Sequence, residues 1–124
     1  MYRACIIVLS DREYTGEQED SFGRKLEEYM KNNNFDIIVY KIIPEVKSIY
    51  RDFMIKCCDN YSVDLVVTIG NVDLSEEVAK EISNEEDVIL SCYRRKKTII
   101  KNIKENSDSI NVKLEEIVQS VEEV

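Results

Sequence analysis

Three short runs decide most of what this chain can fold into: "RACIIVL" over 3–9, "FDIIVYKII" over 35–43 and "DLVVTI" over 64–69. They are apolar and rich in β-branched residues. A strand with one wet face alternates apolar and polar residues. A largely continuous apolar run instead suits a strand buried on both faces, as in a parallel sheet covered by helices. Between the runs, apolar residues recur at helical spacing. Phe22, Leu26, Tyr29 and Met30 form one stripe, ended by "KNNN". Ile49, Tyr50, Phe53, Met54 and Cys57 form a second, after Pro44 closes the second strand. Leu74, Val78 and Ile82 form a third. Residues 88–92, "VILSC", predict a short strand or edge segment, and 97–103, "KTIIKNI", a further strand. A last helix carries Ile110, Leu114, Ile117, Val118 and Val121 on one face.

Alternating strands and helices predict a three-layer α/β/α domain with a mostly parallel sheet and right-handed crossovers. With 124 residues, one proline, three glycines and no repeat, the chain predicts a single domain over 1–124. Hydrophobic residues make up 44%, enough for a substantial core. The net charge of -8 repels nucleic acid and anionic lipid, so neither is an expected partner. The basic run Arg94 to Lys97 reads as a solvated loop. No apolar run reaches the ~20 residues of a membrane span, and the first residues do not resemble a signal peptide. A cytoplasmic location is therefore expected. Cys5, Cys57, Cys58 and Cys92 match no zinc or redox spacing, and Cys5 and Cys57 are expected to be reduced core residues. There is no histidine, which excludes histidine-based catalysis and argues against zinc.

In open parallel sheets, ligands bind beyond the carboxyl ends of the strands. Three loops should lie there. Ser10 to Glu19 is long for a strand-to-helix loop and carries Asp11, Arg12, Glu13 and Gly16. Pro44-Glu45 follows the second strand. Gly70 to Glu77 follows the third. Gly70 permits positive φ or close backbone approach. Asn71 also suits a left-handed turn. Asp73 or Ser75 is the expected N-cap of the next helix. Backbone N–H groups at that helix start would make an anion site. Asp73, Glu76 and Glu77 would repel a phosphate there unless a cation intervened. The same residues also read as a self-capped helix with no ligand.

These stretches, "VLSDREYTGEQED" with Gly23, "IIPE" and "DLVVTIGNVDLSEEV", stand in the order and spacing of a known family. The chain resembles the molybdenum-cofactor biosynthesis (MoaB/Mog, molybdopterin-binding) domains over nearly its whole length. Those domains carry an SDR-like turn after the first strand, then D-x-S-G opening a helix. P-D follows the second strand, T-x-G-G-T-G-x-x-x-R-D-V-T the third, and N-L-P-G-x-P precedes the last helix. The resemblance implies a homo-oligomer, a trimer or hexamer. It also implies adenylyl transfer from ATP to molybdopterin, releasing pyrophosphate with Mg²⁺ assisting. Ser10, Asp11, Asp20, Thr68, Gly70, Asn71, Asp73, Ser75 and Asn102 are the binding positions it implies. Glu45 and Glu77 stand where the family has its site aspartates and become the implied catalytic and metal-holding carboxylates.

Several positions depart from the pattern. Phe22 stands where the D-x-S-G serine would be. Asn71, Val72 and Asp73 replace the G-T-G. Glu76 replaces the arginine, Cys92 the arginine of an L-S-R stretch, and Lys104 and Glu105 the P-G. A segment after Ser83 is shortened. These changes predict a weakened phosphate cradle and impaired or absent catalysis. A non-catalytic oligomeric paralogue that uses the scaffold for protein–protein interaction is the alternative. A receiver-like signalling domain is a third reading: Asp11 and Asp64 fall near strand ends, but no late-strand lysine matches.

Overall fold

The computed structural model describes residues 2–61, 63–82 and 99–103. The expected segment 88–92, the basic run 94–97, the last helix over 110–121, and Cys92, Lys104 and Glu105 lie outside them. So do the side chains of Cys58, Val72, Glu76, Ile82 and Asn102.

The elements run β1 (Tyr2–Leu9), α1 (Asp11–Thr15), α2 (Ser21–Asn32), β2 (Phe35–Ile43), α3 (Lys47–Asp59), β3 (Leu65–Gly70), α4 (Val72–Ile82) and β4 (Ile99–Ile103). The strands form one sheet in the order β2-β1-β3-β4, each neighbouring pair parallel. The runs of β1 and β3 are buried on both faces, whereas β2, at the end of the described strand order, is mostly half-buried. Ala4, Ile6 and Val8 pack on one face with Leu26 and Met30 of α2. Cys5, Ile7 and Leu9 pack on the other with Tyr50, Met54 and Cys57 of α3 and Val78 of α4. The sheet therefore lies between helices, in three layers. Fully burying each isoleucine or leucine contributes roughly 1.5–3 kcal/mol, so β1, buried from Ala4 to Leu9, anchors the core.

Strand order places the site. From β1 the chain moves to β2 on one side, then back across β1 to β3 on the other. The loops leaving β1 and β3 thus diverge, and their carboxyl ends form the switch point of the sheet. The amino end is tied separately. Arg3 N–H donates to the Asp64 carboxylate at 2.9 Å, and Asp64 N–H donates to the Arg3 carbonyl at 2.8 Å. Asp64 precedes β3 whereas Asp11 follows β1, so in parallel strands they mark opposite ends. That corrects the receiver-like reading.

Other local expectations also change. The long first loop contains a one-turn helix, α1, and is not wholly irregular. Ile49 is exposed at 45%, so the α3 stripe is Tyr50, Met54 and Cys57 with Phe53 partly buried. The asparagine run does end α2: the Asn33 side chain donates to the Tyr29 carbonyl at 2.8 Å, and Asn34 takes a positive φ of 69°. Cys5 and Cys57 are buried in the core.

Candidate functional site

Three loops meet above the carboxyl ends of β1, β2 and β3. Asp11 supplies the first, Glu45 the second and Asn71 the third. Asp11 and Glu45 bond reciprocally: Asp11 N–H donates to Glu45 Oε2 at 3.2 Å, and Glu45 N–H donates to Asp11 Oδ1 at 2.8 Å. The other Glu45 oxygen, Oε1, accepts from Asn71 Nδ2 at 2.9 Å. One exposed carboxylate therefore reaches from the end of β2, over β1, to the end of β3.

Asn71 has a second task. Its Oδ1 accepts the Leu74 N–H at 3.1 Å, and its carbonyl accepts from Ser75 N–H at 3.1 Å. Asn71 is therefore the residue that caps α4, and the expected cap at Asp73 or Ser75 is corrected. Asp73 lies exposed in the first helical turn, where its charge favours the helix dipole. Gly70 makes this geometry possible. Its φ is +102°, and a Cβ there would lie 2.4 Å from the Leu9 carbonyl oxygen.

The first loop is built differently. Ser10 caps α1, accepting from Glu13 N–H at 3.5 Å, while its hydroxyl donates to the Glu13 carboxylate. In the usual capping box the glutamate returns to the cap's backbone N–H. Here the Ser10 N–H is already taken by the Ile43 carbonyl at 3.1 Å, so the carboxylate takes the hydroxyl instead. Gln18 Nε2 completes the arrangement, donating to Glu13 Oε1 at 3.2 Å. Glu13 is only 6% exposed.

Asp20 caps α2. It accepts the Gly23 N–H at 2.9 Å and the Tyr40 hydroxyl on its other oxygen. Burial, then Glu13 and Glu27, push the Asp20 carboxyl upward from its ordinary value, opposed by the Gly23 N–H and Arg24. A Cβ on Gly23 would sit 2.3 Å from the Tyr40 hydroxyl and 2.5 Å from the Asp20 carboxylate. The glycine of the D-x-S-G pattern is thus needed to let these groups meet. Arg24 lies over the Tyr40 ring, 4.3 Å from its centroid.

Thr68 and Ser75 lie inside the fold. Both are buried, 3.4 Å apart through their hydroxyls, and Tyr50 donates to Ser75 at 3.3 Å. They fix α4 on the sheet from beneath. Glu77 faces Lys47, at 2.8 Å, and Glu81 takes the same ammonium. The Glu77 and Glu81 carboxylates hold Lys47 above the usual lysine range. The two glutamates assigned to a metal therefore have different partners. Among the described residues no group of three or more cysteine, aspartate or glutamate side chains is arranged to hold a metal ion. Mg²⁺ held by one or two carboxylates together with substrate phosphates needs no such group, and Glu45 and Glu77 are both exposed. The sequence placed Glu13 in the first loop without a role for it, and gave no notice of Gln18 or Tyr40. The S-x-x-E spacing of Ser10 and Glu13 was an available signal for the first; nothing local marks the other two.

Solved structures share this fold. A molybdopterin biosynthesis protein from Mycobacterium abscessus superposes with a TM-score of 0.79 at 16% identity, covering 98% of this chain and 95% of its own. The MoaB molybdopterin biosynthesis enzyme from Thermus thermophilus superposes at 0.76 with 21% identity, covering 98% and 91%. This is the MoaB/Mog fold. The Mog protein of Mycobacterium ulcerans shows it too, with a TM-score of 0.74 at 16% identity over 99% of this chain and 95% of that one. No protein-family model matches the chain. By sequence it is similar to the molybdopterin adenylyltransferase of Helicobacter pylori, 29% identical over 62% of this chain. The chain spans about half the length of that curated relative, 48%. In this chain the side chains of Asp11, Glu45 and Asn71 meet near the sheet's switch point. Among the described residues no helix is long and apolar enough to cross a membrane.

Proposed function

We propose that this protein acts in molybdenum-cofactor biosynthesis, binding molybdopterin or a nucleotide above the β1 and β3 carboxyl ends. One observation carries the reading: Asp11, Glu45 and Asn71, from three separate loops, converge at the switch point of the sheet. The MoaB/Mog fold and the adenylyltransferase relatives supply the ligand chemistry. Ser10, Asp20, Thr68 and Ser75 support these loops from below, so the ligand-facing groups are Asp11, Glu45, Asn71, Asp73 and the Gly70 backbone.

Adenylyl transfer from ATP to molybdopterin is the reaction assigned to the site, at a reduced rate. The polyphosphate would meet Asn71 and Asp73 where the family pattern has glycines. Glu45 is the carboxylate nearest the reacting groups, and Glu77, held by Lys47, lies at the rim. The working form is a cytoplasmic homo-oligomer, a trimer or hexamer, with 1–124 as one domain. Sedimentation velocity tests the assembly; a strictly monomeric species would remove it.

Titration calorimetry with molybdopterin, and separately with ATP, tests the binding. Saturable heat at micromolar to low millimolar ligand is expected, and its loss in the Asp11→Ala variant would locate it. Folded protein that gives no heat with either ligand at millimolar concentration overturns the function. Adenylylated molybdopterin measured after incubation with Mg-ATP tests the reaction separately.

A further inference from the structure

The Glu45 side chain crosses the place proposed above for the ligand. Its carboxylate spans from β2 to β3 over the end of β1, bonded to Asp11 N–H at 3.2 Å and to the Asn71 amide at 2.9 Å. A ligand entering between the β1 and β3 loops meets this span first. The contacts use both carboxylate oxygens, and Asp11 Oδ1 holds the Glu45 backbone in return at 2.8 Å. We propose that Glu45 is a strap: it closes the crevice in the ligand-free protein, and an anionic ligand binds only by displacing it. The inference rests on the binding site proposed above and concerns how that site is opened.

The side-chain length matters. An aspartate has one methylene fewer. With its backbone fixed by the Glu45 N–H bond to Asp11, it would lack the reach to hold Asn71 while bonding Asp11 N–H. The glutamate is therefore the feature that converts a site carboxylate into a crossing bar. Asn71 passes the effect on, because its amide holds the strap while its Oδ1 caps α4. Opening the strap frees one end of Asn71 and leaves the cap in place.

The variants Glu45→Asp and Glu45→Ala separate strap from charge. Glu45→Asp keeps the negative charge and shortens the reach; Glu45→Ala removes both. Affinity for metal-free ATP and for molybdopterin is measured in EDTA, so that a metal-holding role of the carboxylate cannot contribute. Loss of roughly one net hydrogen bond predicts about tenfold tighter binding in both variants. Hydrogen exchange supplies a ligand-independent readout: the Asp11 amide and the Asn71 side-chain amide should both exchange faster in Glu45→Ala, and at least one of them in Glu45→Asp.

Tighter binding by Glu45→Asp, with faster exchange at either end of the span, supports the strap. A gain confined to Glu45→Ala shows simple charge repulsion and overturns it. Unchanged or weaker binding in both variants, with ligand still bound by the unaltered protein, overturns the strap and leaves the binding site standing. No binding in any of the three folded proteins overturns the strap and the proposed function together.

Discussion

The first and third loops of this molecule teach opposite lessons about resemblance. The first loop keeps most of the family pattern, and apart from the exposed Asp11 and Arg12 its matched residues are structural. Ser10 and Asp20 are buried helix caps, and Gly23 clears space for Tyr40 and Asp20. The third loop has lost most of the pattern, and its changed residues stand at the exposed crevice. Asn71 there performs two tasks that a glycine has no side chain to perform. Residues that hold helices on a sheet resist change because burial leaves few substitutes. Residues that face a ligand can change whenever the ligand or its affinity changes. In this chain the shared motif reports the fold, and the departures report the site.

The largest expected effect tests the one part of the third loop that still matches. Gly70→Ala must place a Cβ 2.4 Å from the Leu9 carbonyl at φ +102°. Neither the backbone atom nor the dihedral can give cheaply. A loss of roughly 3 kcal/mol or more is expected by denaturant unfolding, with soluble expression falling accordingly. A near-neutral result would show that the β1–β3 contact is looser than the geometry requires.

The next effect belongs to the buried cluster. Asp20→Ala removes a cap and the partner of the Tyr40 hydroxyl, for a loss of about 1–2 kcal/mol. Its pH dependence has a defined sign. The folded carboxyl titrates above its unfolded value, so the folded protein holds the proton more tightly. The favourable contribution is complete below the unfolded value and disappears as pH rises through the folded one. Asp20→Asn keeps an oxygen for the Gly23 N–H and cannot ionise. It should flatten the loss of stability between the unfolded and folded values and match or exceed the unaltered protein above them. Parallel curves for the two proteins would remove the burial argument.

These cases show what was readable beforehand. The strands were legible because "RACIIVL" and "DLVVTI" admit little but double-sided burial, and α2 because its stripe and its caps agree. Ile49 misled because apolar character was counted without knowing which side of α3 meets the sheet. The α4 cap misled because Asp73 and Ser75 are also good caps; the backbone at Gly70 turns Asn71 into position first. The strap was not legible at all. It joins residues 34 and 26 positions apart, and no local pattern couples them.

Asn71→Ala should have a smaller effect on stability, about 1 kcal/mol from the lost cap. Its value lies in the contrast with Glu45→Asp. Both release the strap, but only Asn71→Ala loosens the start of α4. Faster amide exchange at Leu74 in Asn71→Ala alone would separate the two tasks of that side chain. Equal exchange in both variants would mean that the cap depends on the strap.

The smallest effect concerns the rim. Lys47 is partly exposed and bonds two carboxylates of α4. Lys47→Met should leave the unfolding midpoint nearly unchanged, because exposed ion pairs contribute little once solvent and side-chain entropy are counted. It leaves Glu77 without its cation beside the crevice. Anionic ligands should then bind roughly twofold more weakly at low salt, and the difference should vanish at high ionic strength. A loss that persists in high salt would instead make Lys47 a direct ligand contact. The α3–α4 rim would then join the three loops as part of the site, and the division between supporting and ligand-facing residues would have to be drawn one helix further out.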